Sequence, residues 1–532
     1  MAKFGIGQAV RRVEDQRFVT GAGRYIDDIN LAGQAYAVTV LSPHAHARIK
    51  TIDVSKAKAA PGVLTVLTGA DALADKLGSL TAHLMPEDVG APKGHRTFQP
   101  LLVADRVRFA GDRVAYVVAE TIAQARDAAE LVEVAYEPLP TVVDLDDAAA
   151  PGAVKVWDEC ADGNVAFRLR FGNKEATDAA FAAAKHVIAL RMVNNRISPV
   201  AMEPRVAIGQ HEAAEDTFTL HTASQNPHGV RMEMSHVFHK PENRIRVVSP
   251  DVGGGFGLKG GTFPDDALVL WAARKLHRPV KWTATRSESM LTDHGGRDHV
   301  CYGEMALDEN GKILGIRARC LFNIGAYFVG AAMVVGAFSL RFIPEAYDVQ
   351  NIFVSTTGLF TNTSQNGPYR GAGRPEAAYF TERLIEHAAR QIGMDGAEIR
   401  RRNLIPPGKI PYATPTFWTY DSGEFVRLLE MCVEASDPKG FAARRKASEK
   451  AGKLRGRAVS YYIEFGGIFN ERMDLRFDPS GRSASITALM IVGGAPMVPD
   501  SPMPLTPRGL VLQGISSMLA SISGMSPARG IA

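Results

Sequence analysis

A glycine-rich loop is the stretch of this sequence whose residue types point most directly to chemistry. Residues 253–257 read GGGFG, and residues 260–261 add two more glycines. A predicted strand ends at residues 247–248, and residues 264–266 (Pro-Asp-Asp) are types typical of a helix start. A strand, a glycine loop and a helix N-terminus together can present free backbone N–H groups to an anionic or bulky cofactor.

The residues alone also allow a plain turn between two core elements, so both interpretations stay open. The spacing is not the G-x-G-x-x-G of a dinucleotide fold, and no Gly-Lys-Ser/Thr of a P-loop follows. Phe256 favours an aromatic side chain beside a ligand over a loop that holds phosphate only. After the loop, apolar residues recur at helical spacing up to Leu276, which predicts a helix with one buried face.

Two further polar residues are candidates for the same site. Gln225, in TASQNPHGVR, is either part of a turn or a fixed hydrogen-bond donor facing a cofactor oxygen. Arg370 lies in a second glycine-rich loop, between residues 367–368 (Gly-Pro) and residues 371–373 (Gly-Ala-Gly), just before a helix predicted from Pro375. The alternative for Arg370 is a solvated charge beside a well-capped helix.

No metal site is expected from the histidines or cysteines. The four histidines between residues 221 and 239 match no standard zinc spacing. The cysteines form no C-x-x-C pair, which argues against zinc-ribbon and iron–sulfur sites; they are Cys160, Cys301, Cys320 and Cys432. Free thiols fit a reducing cytoplasm. Any iron–sulfur centre that works with this chain is therefore expected on another chain.

Length and composition favour a globular protein of several domains. A chain of 532 residues is too long for one core. The formal charge of +4 is spread along the chain without a dense basic patch, so nucleic acid is not an expected partner. The N-terminus shows no signal peptide, and no apolar stretch is long enough to span a bilayer.

The strand and helix signals divide the chain. Residues 1–18 are taken as an N-terminal arm and residues 19–150 as a small α+β unit. Within that unit, residues 103–108 and 113–119 predict a hairpin, and Thr121 predicts the N-cap of the next helix. Residues 160–405 mix strands and helices, as in an α+β or α/β domain.

Seven sequence runs resemble one protein family. They are VEDQRFVTGAGRYIDDI, LSPHAHARI, PGVLTVLTGAD, TASQNPHGVR, DVGGGFGLKG, PYRGAGRPEAAYFTERLIEHAAR and FNERMDLRFDPSG, in family order between Gly5 and Gly481. The chain resembles the molybdopterin-binding large subunit of the xanthine dehydrogenase/aldehyde oxidase family. Within the family it looks closest to the aerobic carbon monoxide dehydrogenase large-subunit branch, in a form II-like version without the active-site cysteine.

The resemblance implies an α+β fold and an oxidoreductase. It places an α/β-hammerhead domain at 19–150, a first molybdopterin-binding domain at 160–405 and the start of a second at 425–482. The implied cofactor is molybdopterin with molybdenum, expected as the cytosine dinucleotide. FAD and 2Fe-2S clusters are expected on a flavin subunit and an iron–sulfur subunit, as a dimer of heterotrimers in full-length relatives.

The resemblance also implies roles for the candidate residues. Gln225 would hydrogen-bond an oxo ligand of molybdenum. Four residues of the first loop would pack their backbone against the cofactor: Gly254, Gly255, Phe256 and Gly257. Arg370 would line the substrate side, together with Gly371, Ala372 and Gly373. Carbon monoxide dehydrogenases have a copper-binding cysteine where this chain has Gly371, so we expect hydroxylation of an aldehyde or N-heterocycle instead.

The C-terminal part departs from the family. The second cofactor loop and the late glutamate base of the family are absent. A strand pair begins in MDLRFDPSG, but its expected partner strands do not follow. Residues 483–532 contain few charges and many Met, Pro, Ser and Gly. We hypothesise a reading-frame shift near Arg482, with a genuine short variant as the alternative. The chain is then an active hydroxylase subunit, an incomplete fragment that still docks partners, or a non-catalytic cofactor-binding protein.

Overall fold

The computed structural model describes residues 11–464 and the strands at 471–477 and 484–490. The strands are β1 (Ala35–Leu41), β2 (Ala47–Asp53), β3 (Val63–Thr68), β4 (Arg106–Val107), β5 (Arg113–Ala119), β6 (Glu133–Pro138), β7 (Val165–Gly172), β8 (His186–Asn194), β9 (Val206–Glu212), β10 (Thr217–Thr222), β11 (Ile245–Val248), β12 (Val280–Thr283), β13 (His299–Leu307), β14 (Ile313–Gly325), β15 (Ile352–Phe360), β16 (Tyr412–Ala413), β17 (Thr419–Tyr420), β18 (Glu471–Phe477) and β19 (Ala484–Met490).

The helices alternate with these strands, which confirms the mixed α and β class. They are α1 (Asp15–Val19), α2 (Ser55–Ala59), α3 (Gly69–Ala74), α4 (Ile122–Ala129), α5 (Leu145–Ala149), α6 (Lys174–Ala182), α7 (Pro227–Phe238), α8 (Pro264–Leu276), α9 (Arg286–Thr292), α10 (Ala332–Arg341), α11 (Arg374–Gln391), α12 (Gly396–Asn403), α13 (Phe425–Ala435) and α14 (Pro438–Lys450). Among the described residues, no helix is both long enough and apolar enough to cross a membrane.

A seven-stranded sheet positions the first glycine loop. Its strand order is β11, β10, β9, β12, β1, β5 and β3. Strand β1 pairs in parallel with β12, with Ala35 opposite Val280, so the sheet joins the first 150 residues to the segment that carries the loop. Strand β11 lies at the sheet edge and ends at Val248, as predicted. The loop therefore leaves the sheet at an edge, where its backbone is not used for strand pairing.

A five-stranded sheet positions the second loop. Its order is β7, β15, β14, β13 and β8, and helix α11 packs against β8 and β13. Strand β15 ends at Phe360, and the chain then forms the loop that carries Arg370 before α11 begins at Arg374. One large hydrophobic cluster runs through both sheets and holds them together.

Helix α8 is buried more completely than its sequence predicts. It begins at Pro264 as expected, but all residues from Pro264 to Ala273 are buried, so the prediction of a single buried face is wrong. The helix packs against β9, β10 and β12. On another side, Asp75 at the end of α3 accepts a hydrogen bond from Trp271 Nε1 (2.7 Å). A helix enclosed in this way has no face left for solvent.

The hairpin predicted over residues 103–119 is also wrong. Strand β4 pairs with β2 in a three-stranded sheet, whereas β5 lies between β1 and β3. All seven residues of β5 are buried, which suits a central strand better than one arm of an exposed hairpin. The predicted N-cap is confirmed, because the Thr121 side chain accepts a hydrogen bond from Gln124 N–H (3.2 Å).

The C-terminal strand does find one partner. Strand β18 pairs antiparallel with β19, with Glu471 opposite Met490. The strand pair expected to begin in MDLRFDPSG is therefore present. No third strand joins this pair within the described residues. The frameshift hypothesis concerns a tail of which residues 491–532 lie outside the described residues, so it stays a prediction.

Candidate functional site

The two glycine-rich loops lie against each other. The backbone N–H of Arg370 donates a hydrogen bond to the carbonyl oxygen of Phe256 (2.9 Å). Gly257 has a φ of +95°, and a Cβ there would lie 2.5 Å from the carbonyl oxygen of Pro368. Only glycine adopts this conformation readily and allows such a close approach. The fold therefore brings the candidate residues of both loops to one place.

Gln225 is fixed beside these loops through its side-chain oxygen. Its Oε1 accepts a hydrogen bond from the Gly257 N–H (2.9 Å), and its backbone N–H donates to the Lys259 carbonyl (2.8 Å). A Cβ on Gly255 would lie 2.3 Å from the same Oε1, so glycine is needed there too. Because Oε1 is engaged, the exposed amide group is left as a donor.

Three consecutive backbone N–H groups of the first loop have no protein acceptor. The N–H groups of Gly254, Gly255 and Phe256 make no hydrogen bond within the described part of the chain. Gly254 has a φ of +96° and Phe256 a φ of +54°. Successive N–H groups in such turn conformations form concavities that bind anions. With the Gln225 amide, this donor set fits an oxygen-rich, anionic group.

A buried ion pair, Glu203 with Lys259, supports the first loop. Glu203 Oε2 accepts hydrogen bonds from the Gly253 N–H (2.7 Å) and from Lys259 Nζ (2.7 Å). The Lys259 side chain is 1% exposed and that of Glu203 is 8% exposed. The sequence did not identify this pair, because one glutamate in AMEPR and one lysine inside a glycine run form no recognisable pattern. Their role in the structure is to hold the loop.

The second loop is held by an arginine that the sequence also did not reveal. Arg297 donates hydrogen bonds to the carbonyl oxygens of Tyr369 (3.2 Å) and Arg370 (2.6 Å). Arg297 is itself paired with buried Glu376 (3.2 Å), whose carboxylate also accepts from the Gly373 N–H (2.9 Å). Residues 371–373 all have positive φ values, +94°, +41° and +98°.

The positive φ values at 371–373 give the second loop a sharp turn next to the start of α11. The Arg370 side chain is exposed at this turn and makes no ion pair within the described residues. The structure thus brings Gln225, the first loop and Arg370 into contact, and the side chains of Gln225, Phe256 and Arg370 are exposed. Their roles toward a cofactor or substrate remain proposals.

Behind the first loop, Asp265 bridges two buried arginines. Asp265 accepts hydrogen bonds from Arg113 Nη2 (2.5 Å) and Arg205 Nη1 (2.6 Å), and Arg205 Nε donates to Asp293 (2.6 Å). Burial raises the pKa of Asp265, but the charges of Arg113 and Arg205 outweigh burial and hold this pKa at about 2. The network links strand β5 to the start of α8, directly behind the loop.

Asp266, the next residue, has a buried carboxyl group whose pKa is raised, whereas that of Asp265 is lowered. It accepts hydrogen bonds from the Phe263 N–H (3.0 Å) and Thr222 Oγ1 (2.9 Å). Burial raises its pKa from the ordinary 3.8 to about 6. Together with Arg205 and Lys259 it lines a cavity of about 300 Å³ of empty space, part of which is open to solvent.

Replacing Asp266 by Asn should remove a pH-dependent cost to folding. The pKa of Asp266 is higher in the folded chain than in the unfolded chain. The stability that its protonated carboxyl group contributes is therefore present at low pH and is lost as the pH rises through about 6. A shift of about 2 units corresponds to about 3 kcal/mol. We expect the unfolding free energy of the variant minus that of wild type to rise by up to about 3 kcal/mol between pH 4 and 8 in urea titrations. With Asp158→Asn, at an exposed site, this difference should stay flat; a flat Asp266→Asn difference would contradict the assignment.

Two of the histidines, His46 and His221, make hydrogen bonds to the protein. His46 Nδ1 lies 2.6 Å from the Pro140 carbonyl oxygen, and His221 Nε2 lies 3.2 Å from Gln210 Oε1. In residues 11–464, no three His, Cys, Asp or Glu side chains come together in an arrangement that could hold a metal ion.

The segments that carry this fold and both loops match two known protein-domain families. Residues 157–404 match the molybdopterin cofactor-binding domain. Residues 20–140 match the a/b hammerhead domain of aldehyde oxidase and xanthine dehydrogenase. The chain belongs to this family of molybdopterin-dependent oxidoreductases, as the sequence runs indicated.

Three individual relatives show how similar this chain is to known proteins and how much of their length it covers. The chain is 36% identical to the carbon monoxide dehydrogenase large chain of Afipia carboxidovorans, over 87% of this chain and 58% of that one. It is 32% identical to the nicotine 6-hydroxylase large subunit of Paenarthrobacter nicotinovorans, over 91% and 60%. The crystal structure of quinoline 2-oxidoreductase from Pseudomonas putida 86 gives a TM-score of 0.81 at 32% identity, over 91% and 62%. The chain therefore spans 58–62% of the length of these relatives.

Proposed function

We propose that this chain is the catalytic large subunit of a molybdenum hydroxylase, with molybdopterin bound against the two glycine-rich loops. The observation that carries the proposal is the Gln225 side chain. Its oxygen is held by the Gly257 N–H (2.9 Å), which leaves its amide donor beside the three free N–H groups of residues 254–256. Four donors close together at the first loop fit the oxygen-rich pterin and its phosphate. The cytosine dinucleotide form follows from the resemblance.

The protein residues would bind and orient, while the bound molybdenum group supplies the two-electron redox chemistry. Gln225 would donate to an oxygen of that group, and the N–H groups of residues 254–256 would fix its position. The Phe256 side chain, 42% exposed, would cover one face of the cofactor. The guanidinium of Arg370 would attract the electronegative atoms of a substrate on the open side of the loop.

The proposed reaction is hydroxylation of an aldehyde or N-heterocycle with an oxygen atom from water. Gly371 occupies the position next to Arg370, and none of the four cysteines lies in this loop, so there is no soft ligand for a copper ion at that position. The relatives named for nicotine and quinoline favour an N-heterocycle. Glu203 is held by Lys259 and Gly253, so we do not assign it as the general base.

Electrons would leave through an iron–sulfur subunit and a flavin subunit. This is supported by the names of relatives, which are subunits or large chains. The cysteines of this chain are free thiols, which suits the cytoplasm and leaves the clusters to a partner.

A second candidate is a cofactor-binding or docking protein without turnover. It is favoured by apolar side chains beside the first loop. Met202, next to Glu203, is 90% exposed, and Phe256 is 42% exposed. Apolar surface beside a binding loop is typical of a site that another protein segment covers.

Gln225→Glu tests the proposal. The carboxylate keeps the acceptor for the Gly257 N–H but replaces the amide donor with a negative charge. We expect molybdenum content, measured by mass spectrometry of the metal, to fall at least about 10-fold, since an acceptor facing an acceptor costs more than about 1.4 kcal/mol. Gln391→Glu, at the exposed end of α11, is the charge-matched control.

An assay of the wild-type protein distinguishes the hydroxylase from the cofactor-binding protein without turnover. Wild type is co-produced with iron–sulfur and flavin subunits and assayed with quinoline and a dye acceptor. Molybdenum with turnover supports the hydroxylase; molybdenum or oxidised pterin fluorescence without turnover supports the second candidate. Equal molybdenum content in Gln225→Glu and wild type would overturn the assigned role of Gln225.

A further inference from the structure

Three sulfur-bearing side chains lie in one row across the five-stranded sheet. Cys301 of β13 is directly opposite Met192 of β8 and directly opposite Cys320 of β14. Directly opposed residues of antiparallel strands project from the same face, with Cβ atoms about 4.5–5.5 Å apart. All three side chains are buried.

A small cavity lies between helix α11 and two members of this row, Met192 and Cys301. Its walls also include His299 and Tyr379. Tyr379 is 36% exposed, so the cavity has a route to solvent.

His299 indicates what kind of occupant the cavity suits. It lies two residues before Cys301 on the same strand, so both side chains project from the same face. His299 is 2% exposed, and neither ring nitrogen makes a well-formed hydrogen bond within the described residues. A buried polar group without a partner is costly. This favours a cation or a polar group in the cavity over a dry apolar filling.

We propose that Cys301, Cys320 and Met192 form a binding site for a soft monovalent d10 cation, Cu(I) in the cell and Ag(I) in the test tube. Thiolate and thioether sulfurs select such cations. Zn²⁺ is not the expected occupant, because it needs four ligands and the described residues bring no three His, Cys, Asp or Glu side chains together. Binding replaces two S–H bonds with two S–metal bonds, releases two protons and changes no oxidation state.

This site is separate from the proposed molybdopterin site and does not depend on it. Glu376, in the wall of the cavity, binds Arg297 and the Gly373 N–H on its other side. The occupant would therefore lie one side chain away from the second glycine-rich loop, without contacting the position next to Arg370.

Native mass spectrometry with Ag(I) tests the site. The full-length chain carries Cys160→Ser and Cys432→Ser, which remove the other two thiols, and receives one equivalent of Ag(I). We expect one silver per chain with the loss of two protons, because both remaining thiols become ligands. In competition with glutathione, Cys301→Ser and Cys320→Ser should each weaken silver binding more than about 100-fold. The loss of a group that only supports a metal ligand costs about 10–100-fold in affinity, and the loss of the ligand itself should cost more.

Met192→Leu conserves volume and is the milder variant. It should weaken binding about 10-fold, less than the loss of a thiolate, because a neutral thioether is a weaker ligand than a charged thiolate. It also keeps the test decisive if a serine variant does not fold. Silver bound with the loss of one proton, silver held equally by Cys301→Ser and the background protein, or no retained silver would each overturn the proposal. A mass loss of two hydrogens without silver, which indicates a disulfide, would do so as well.

Discussion

Asp265→Asn is expected to destabilise the folded chain by about 3–5 kcal/mol at pH 7. Asp265 accepts hydrogen bonds from Arg113 and Arg205, and all three side chains are almost fully buried. An asparagine of the same size leaves two arginine charges in the core with one carboxylate fewer between them. Removing one partner of a buried ionic cluster is costly because the remaining charges cannot be hydrated.

The effect of Asp265→Asn should depend on pH in a defined direction. The pKa of Asp265 is held at about 2, below its ordinary 3.8, so its stabilising effect is present above pH 4 and is lost as the pH falls toward 2. Urea unfolding at pH 7 and pH 3 should show a smaller gap between variant and wild type at the lower pH. Glu133→Gln, which removes the exposed partner of Lys56, should change stability by less than about 1 kcal/mol. An equally small change for Asp265→Asn would contradict the network.

The elements around the site could be predicted where the signal is local. Strand β11 ends at Val248, and helix α8 begins at Pro264, because proline and acids suit the first turn of a helix. Thr121 caps α4 by accepting a hydrogen bond from the Gln124 N–H. Each of these features depends on residues only a few positions apart.

Long-range pairing could not be predicted from the same patterns. Nothing in the alternation of residues in β1 indicates that it pairs in parallel with β12. The assignment of β4 and β5 to different sheets depends on which neighbours bury them. The burial of α8 on all sides from Pro264 to Ala273 depends on its neighbours in the same way. Hydrophobic periodicity identifies an element and one apolar face, but not what covers its other faces.

The candidate site also contains residues that could be predicted from the sequence and residues that could not. Residue types and spacing made Gln225, the first loop and Arg370 candidates, and the resemblance gave them roles. The fold brings them together through the Arg370–Phe256 and Gln225–Gly257 hydrogen bonds. The residues that hold the loops, Lys259 and Arg297 among them, were not identified. They act through backbone groups of residues distant in sequence, and such contacts leave no spacing pattern in the chain.

Gly257→Ala is expected to force the two loops apart and to destabilise the chain by about 2–5 kcal/mol. The φ of +95° at Gly257 costs an alanine about 1–2 kcal/mol. The new Cβ would also lie 2.5 Å from the Pro368 carbonyl oxygen, and this overpacking adds about 1–3 kcal/mol. The atom it meets belongs to the backbone and cannot rotate away, so the Arg370–Phe256 hydrogen bond should break.

Gly260→Ala is the matched control, because it adds the same methyl group to the same loop. A Cβ at Gly260 meets no atom within 4 Å, so its unfolding free energy should stay within about 1 kcal/mol of wild type. Urea unfolding measures both variants, and molybdenum content reports on the loops themselves. If Gly257→Ala alone loses stability and molybdenum, the cofactor depends on the contact between the loops. If Gly257→Ala loses stability but keeps molybdenum, the first loop binds the cofactor without the second. Equal stability of both variants would show that the loops are not in contact at Gly257.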